Sequence, residues 1–453
     1  MAHDHIDPSP LTLMGGDRGF ARRVGRPVRR FMRLEAAGGI VLLLATVVAL
    51  IWANSPWDHT YHEILETHIS IEIGDLLIDE PIEAWVNDAL MAVFFFVVGL
   101  EIKRELVVGE LRDPRAAALP ALAALGGMVV PALIFLAFAA GGPGQHGWGI
   151  PMATDIAFAL GVVSLLGPRV PSAMKVFLLT LAIVDDIGAI VVIAIFYSSG
   201  LSYGWMLAAV VSLVVVMMMR VARIWYIPAY VVVGMFVWLA VFESGVHATI
   251  AGVVLGIMTP ARPLQPEGVT DHELVGRAIS GEVTAPVMRR ASFEIREQIS
   301  VADRLQDVLH PFSSFLIVPV FALANAGIAL SVDTITEAAT SEITLGVIFG
   351  LVFGKLIGVS LFTYIGVRSG LSRLPRGATW NHVIGLAGVA GIGFTVSLFI
   401  TGLAYDEPLF NDEARLGVLT ASVIAAIVGS VLLSRARSVV EVEIEEPATV
   451  AAG

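Results

Sequence analysis

Twelve apolar runs, separated by polar connections of alternating charge, decide what this chain can fold into. The first extends from roughly Glu35 to Ala53. The others lie near 85–102, 116–139, 150–167, 173–197, 204–221, 226–241, 245–259, 312–330, 342–367, 380–403 and 414–434. A helix needs about 20 residues to cross the hydrocarbon core of a bilayer, and most of these runs approach that length. Only 15% of the 453 residues are charged and 56% are hydrophobic, so most of the surface must face something apolar. The expected fold is an all-α polytopic membrane protein with twelve transmembrane helices.

The connections test that count. An arginine cluster (Arg18, Arg22, Arg23, Arg26, Arg29, Arg30 and Arg33) precedes the first run. If it is cytoplasmic, every second connection is cytoplasmic too. Those connections carry Lys103, Arg104, Arg112 and Arg115; then Arg169 and Lys175; then Arg220 and Arg223; then Arg262 to Arg304; then Arg368, Arg373 and Arg376. Arg435 and Arg437 follow the last run, whereas segment 54–84 is acidic and has no Lys or Arg. Basic residues stay on the cytoplasmic side, so both termini are expected inside. The expected organisation is an Arg-rich tail at 1–34, a transmembrane unit at 35–437 and a tail at 438–453. Residues 260–304 form a long cytoplasmic loop that reads as linker with some helix near Ser292 to Val308. No cleavable signal peptide is evident before the first run. Residues 68–83 alternate apolar and polar side chains around Gly74-Asp75, as a short external β-hairpin would; an acidic surface loop is the plainer reading. The absence of Cys excludes disulfides, thiolate metal sites and cysteine nucleophiles. No nucleic-acid partner is expected; the net charge of −12 points the same way, but in a membrane protein the position of charges relative to the spans matters more than the total.

Ionisable groups inside the runs are the features that need explaining. Asp88 opens the second, Asp155 sits in the fourth, Asp185 and Asp186 in the fifth, and Lys355 in the tenth. Each costs about 2.5–3.5 kcal/mol at mid-membrane, so four central groups together cost on the order of 10 kcal/mol without compensation. Internal ion pairs are the plain alternative, but three carboxylates against one ammonium leave two negative charges unmatched. Protons or a metal ion must balance them. Carboxylates taken out of water hold protons more tightly, and crowding them together adds to this. Deprotonated, they offer the hard oxygens that small hard cations prefer. Protons and a cation such as Na⁺ or Li⁺ then compete for one site, and competition at a site exposed alternately to each side is antiport. Adjacent aspartates on a helix point about 100° apart. One of Asp185 and Asp186 is expected to bind the ion directly, and we favour Asp186; the other binds through water or holds Lys355. Lys355 pairs with one of them or releases a proton itself.

Interruptions point to the same depth. The fourth run is broken by Pro151 and by Thr154-Asp155, and the eleventh contains Gly385, Gly388, Gly391 and Gly393 before Phe394-Thr395. Non-helical backbone at membrane depth is tolerated where it is buried in protein or lines a cavity.

The ordered set of motifs resembles the NhaA sodium/proton antiporters. The matching stretches include Asn87-Asp88 through Glu101 and Glu105, Ala153-Thr154-Asp155, Val184-Asp185-Asp186, Glu243 through His247, Leu309-His310-Pro311, Ala324-Asn325, Gly354-Lys355 and Gly391 through Thr395. The resemblance implies an inverted-repeat transporter fold in the bacterial inner membrane, with the fourth and eleventh helices unwound and crossing. It implies an ion site of Asp155, Asp185 and Asp186 with Thr154 nearby, Asp155 and Asp186 holding Na⁺ or Li⁺. Lys355 and Asp88 would serve charge compensation and proton coupling. It implies exchange of more protons than sodium ions, a dimer through the 68–83 hairpin, and pH sensing by Glu101, Glu105 and His247 in a cytoplasmic funnel. No cofactor is expected beyond the transported Na⁺, Li⁺ and H⁺. Gln306-Asp307 depart from the Glu-His that the family carries before Leu-His-Pro. That departure and the long 260–304 loop put the pH profile in question.

Two other classes remain. A sodium-coupled solute symporter would also use buried carboxylates but needs a substrate pocket, which nothing in the sequence suggests. An intramembrane aspartyl protease would place two aspartates on different spans, but the Gly-x-Gly-Asp signature is missing from the spans, and His-Glu-x-x-His is also absent.

Overall fold

A computed structural model describes residues 37–74, 76–198, 200–222, 224, 226–263 and 298–436. The expected tails at 1–34 and 438–453, and most of the 260–304 loop, lie outside these residues.

The elements in order are α1 (Ala37–Ala53), α2 (Asp58–Glu66), strands β1 (His68–Ile73) and β2 (Leu76–Pro81), α3 (Ile82–Val107), α4 (Pro114–Ala139), a 3₁₀ segment (Pro143–Met152) and α5 (Ile156–Leu165). Then come α6 (Ser172–Phe196), α7 (Tyr203–Val221), α8 (Ile227–Phe242) and α9 (Thr249–Met258). The second half holds α10 (Val301–Asn325), α11 (Val332–Thr340), α12 (Glu342–Arg368), α13 (Trp380–Val389), α14 (Phe394–Ala404) and α15 (Pro408–Arg435). Among the described residues, seven helices are long and apolar enough to span a membrane, or up to ten if each bent pair counts as one span.

The bent pairs are α1 with α2, at 112°, the 3₁₀ segment with α5, at 46°, and α13 with α14, at 45°. α10 departs from the sequence expectation. It begins at Val301 rather than near 312, because its first turns carry Asp303, Arg304 and Asp307 and so hide from hydropathy. Ser300 caps it by accepting from Asp303 N at 3.1 Å. Single π-turns interrupt three spans, at Val86–Leu90, Ser313–Ile317 and Gly350–Gly354; the last immediately precedes Lys355. Such turns concentrate at functional sites.

Close helix contacts rest on glycine. A Cβ on Gly252 of α9 would run into the Ala92 carbonyl of α3, and one on Gly358 of α12 into the Gly126 carbonyl of α4. Small residues let backbones approach where lipid gives no hydrophobic drive between helices. α12 thereby presses against α4, which positions Lys355 within the protein.

β1 and β2 form an antiparallel hairpin, with Ile71 opposite Ile78 and Ser70 opposite Asp79. The Ser70 hydroxyl donates to Asp79 Oδ1 at 2.5 Å, which together with nearby His68 holds the Asp79 carboxyl below its ordinary range.

Candidate functional site: the crossing of two broken helices

The 3₁₀ segment ends at Met152, just after Pro151, and Ala153 and Asp155 are extended before α5 begins. Asp155 caps α5, its Oδ1 accepting from Phe158 N at 2.9 Å. Its Oδ2 accepts from Thr395 N at 3.0 Å and from the Thr395 hydroxyl, in the first turn of α14. Asp155 thus meets the positive ends of two helices, an arrangement that favours a carboxylate. The backbone joins the same crossing, since Asp155 N donates to Ile392 O at 2.7 Å. The Thr154 hydroxyl lies 2.7 Å from Asp185 Oδ2 and 2.9 Å from the Ala390 carbonyl, and donates to one at a time. Two interrupted helices therefore satisfy each other's freed backbone groups inside the protein.

Lys355 is fully buried. Its ammonium donates to Asp185 Oδ2 at 2.5 Å, to Thr154 Oγ at 3.0 Å and to the Met152 carbonyl. Three acceptors match the three hydrogens of an ammonium. The lysine's partner is therefore Asp185, not Asp186. Asp186 is 4% exposed, and its Oδ1 has no hydrogen-bond partner; nor does Asp185 Oδ1. Buried polar atoms are nearly always paired, so two orphaned carboxylate oxygens at one depth call for a proton or a cation. Among the described residues no three acidic or histidine side chains converge closely enough to hold a metal ion. The three aspartates surround the crossing rather than meeting at one point, with Asp155 turned toward α14.

The remaining sequence candidates separate. Glu101, on α3, accepts from Gln306 Nε2 at 3.2 Å, so the departure from the family pattern supplies its neutral partner. Glu105 closes the turn after α3, accepting from Glu110 N at 3.0 Å, which is a structural role. His247 is not with them. Its ring touches the Tyr197 carbonyl just past the end of α6 remote from Lys175. Along α9, Gly252 faces Ala92 and Gly256 faces Phe96 and Gly99, so His247 lies near the opposite end of α3 from Glu101. Asp88 sits in the first π-turn, where its carbonyl accepts from Trp238 Nε1 at 3.2 Å; the hydrogen bonds of the crossing do not include it.

Thr395 is the site residue that the sequence hid. It read as part of a helix break; its grip on Asp155 depends on a crossing between residues 240 positions apart. The break itself, Gly391 through Thr395, was the available signal.

A family model described as Na⁺/H⁺ antiporter 1 matches residues 29–433. The chain belongs to this Na⁺/H⁺ antiporter family. Among similar relatives, Na⁺/H⁺ antiporter NhaA 3 of Frankia alni is 44% identical over 411 residues, covering 91% of this chain and 89% of the relative. Na⁺/H⁺ antiporter NhaA of Rhodopirellula baltica is 45% identical over 439 residues, covering 95% and 98%. That of Shewanella frigidimarina is 45% identical over 413 residues, covering 90% and 96%. Members of this antiporter family are secondary transporters, not enzymes, and the apolar helices make this one a multi-pass membrane protein.

Proposed function

We propose that the protein exports Na⁺ or Li⁺ across the bacterial inner membrane in exchange for a larger number of protons, serving sodium and pH homeostasis. The observation that carries this is the surplus of buried acid at the crossing: Asp155, Asp185 and Asp186 against Lys355 alone. Ten candidate spans together with the shorter apolar α8 and α9 support a twelve-helix, inverted-repeat fold whose fourth and eleventh spans are the broken ones. Basic residues cluster at one set of helix ends, which supports cytoplasmic termini.

Asp186, with an unpartnered oxygen, takes the cation directly. Asp155 completes the ligand set with Thr154 beside it. Asp185 holds Lys355 and ties cation arrival to the state of that lysine. Asp88 lies outside the crossing and acts on the charge balance at longer range. Glu101, paired with the neutral Gln306, is the remaining candidate for pH sensing; Glu105 and His247 have structural partners. The exposed edges of the β1–β2 ribbon offer unpaired backbone through which two subunits could join.

The test is exchange in everted vesicles carrying a pH-sensitive dye. Na⁺ and Li⁺, each added with no other solute, should dissipate the proton gradient, and K⁺ should not. A requirement for a second solute would indicate a symporter instead.

A further inference from the structure

Arg415 is an outlier. Segments 54–84, 140–150, 197–203, 243–248, 326–341 and 404–414, which face outward if the basic connections are cytoplasmic, contain no Lys or Arg. Arg415 opens the last span on this side, against the charge rule that orders the rest of the chain. Its Nη2 reaches Glu83 Oε1 at 3.0 Å and lies 3.5 Å from Asn325 Oδ1. Only 13% of its side chain is exposed, and its Nε is buried without a partner. Asn325 donates in turn to Asn87 Oδ1 at 2.8 Å and to Phe321 O at 3.0 Å, and accepts from Asn87 at 3.3 Å. Three spans are pinned by this network: α3 by Glu83 and Asn87, α10 by Asn325, and α15 by Arg415.

Beneath it lies a cluster of buried phenylalanine rings. Asn325 and Phe321 are four residues apart on α10, hence on one face. The Phe321 ring lies 6.3 Å from Phe399 of α14, which lies 5.3 Å from Phe95 of α3, and all three are buried. Phe399 follows Thr395, the residue that grips Asp155, by one helical turn. A continuous column thus runs from Asp155 through the three rings to Glu83 and Arg415.

We propose that the Arg415–Glu83–Asn325 bridge is the outer gate of the ion path, closing the column above the phenylalanine cluster while the site faces the cytoplasm. The proposal rests on the antiport reading. The guanidinium is a tethered cation held on the oxygens that a departing Na⁺ would meet. It bars that passage until α3 parts from α10 and α15. A bridge of this kind makes the outward-open state a minor population, and removing it shifts that population.

The chain has no cysteine, so a single thiol reports without background. Met91, fully buried on α3 between Asn87 and Phe95, is the reporter position. Met91→Cys protein in right-side-out vesicles is treated with a membrane-impermeant maleimide, with and without Arg415→Ala. Labelling should be slow in the parent and rise at least about tenfold in Arg415→Ala. Arg415→Lys, which keeps a cation, should stay near the parent rate. Glu83→Gln breaks the same bridge from the other side, should raise labelling several-fold, and stands in if Arg415→Ala does not fold. Parent-rate labelling in the Arg415→Ala protein, or in Glu83→Gln where that protein does not fold, overturns the gate. So does Arg415→Lys labelling as fast as Arg415→Ala. Na⁺/H⁺ exchange is measured in the same vesicles without label: its absence in the parent removes the antiport reading, and its presence with Arg415-independent labelling removes only the gate.

Discussion

Replacing Asp186 with Asn is expected to abolish Na⁺-dependent proton release while the protein still folds. The substitution keeps the shape of the side chain and removes its charge. Asp186 Oδ1 has no hydrogen bond to lose, so the fold does not depend on it as it does on the Asp185–Lys355 contact. The cation loses a charged ligand in a buried site, an effect of about 3 kcal/mol or more, and so roughly a hundredfold or more in affinity. The carboxylate that exchanges a proton for the ion is lost as well, so a higher Na⁺ concentration restores nothing. Flow dialysis and vesicle exchange on the same preparation measure both losses. Asp155→Asn should be equally inactive. Its cause would be partly different, because Asp155 also caps α5 and holds Thr395.

Lys355→Ala should lose stability before anything else. The ammonium and Asp185 are both fully buried, at 2.5 Å. Removing one partner of a buried pair leaves an uncompensated charge, and typically costs about 3–5 kcal/mol. Thermal unfolding in detergent should shift down accordingly, with exchange weakened or displaced in pH. The double variant Asp185→Asn, Lys355→Gln removes both charges together and should recover most of the lost stability without recovering normal transport. A double variant as unstable as Lys355→Ala would mean that the lysine acts mainly through its contacts with Met152 and Thr154.

Much of this arrangement was legible in the sequence, and the misses have physical causes. Apolar runs and alternating charge locate the spans because the bilayer imposes length and composition directly. Hydropathy fails where a helix extends into water: the charged start of α10 read as a stretch of helix within the 260–304 loop, separate from the span that it begins. It also cannot separate an α-helix from the 3₁₀ segment at Pro143–Met152. Five groups in the apolar runs stood out by their charge; the structure brings Asp155, Asp185, Asp186 and Lys355 to the crossing and leaves Asp88 outside it. Helical periodicity alone left open which aspartate holds the lysine, because both lie on one turn of α6. The choice of Asp185 depends on how α12 is seated against α4 by Gly126 and Gly358. His247 was misplaced by resemblance, although its own segment, which lacks Lys and Arg, already put it at the other end from Glu101. Thr395 looks ordinary in the sequence, and Arg415 stands out only by breaking the charge rule. Their roles come from partners hundreds of residues away.

The central claim is that protons and a small alkali cation exclude one another at these carboxylates. Isothermal titration of Na⁺ into the purified protein, repeated in buffers of different ionisation enthalpy across a pH series, counts the protons ejected per ion bound. Proton release that is clear near neutral pH and fades in alkaline buffer, with apparent affinity weakening as pH falls, is the predicted result. Sodium binding that ejects no protons at any pH would contradict the account.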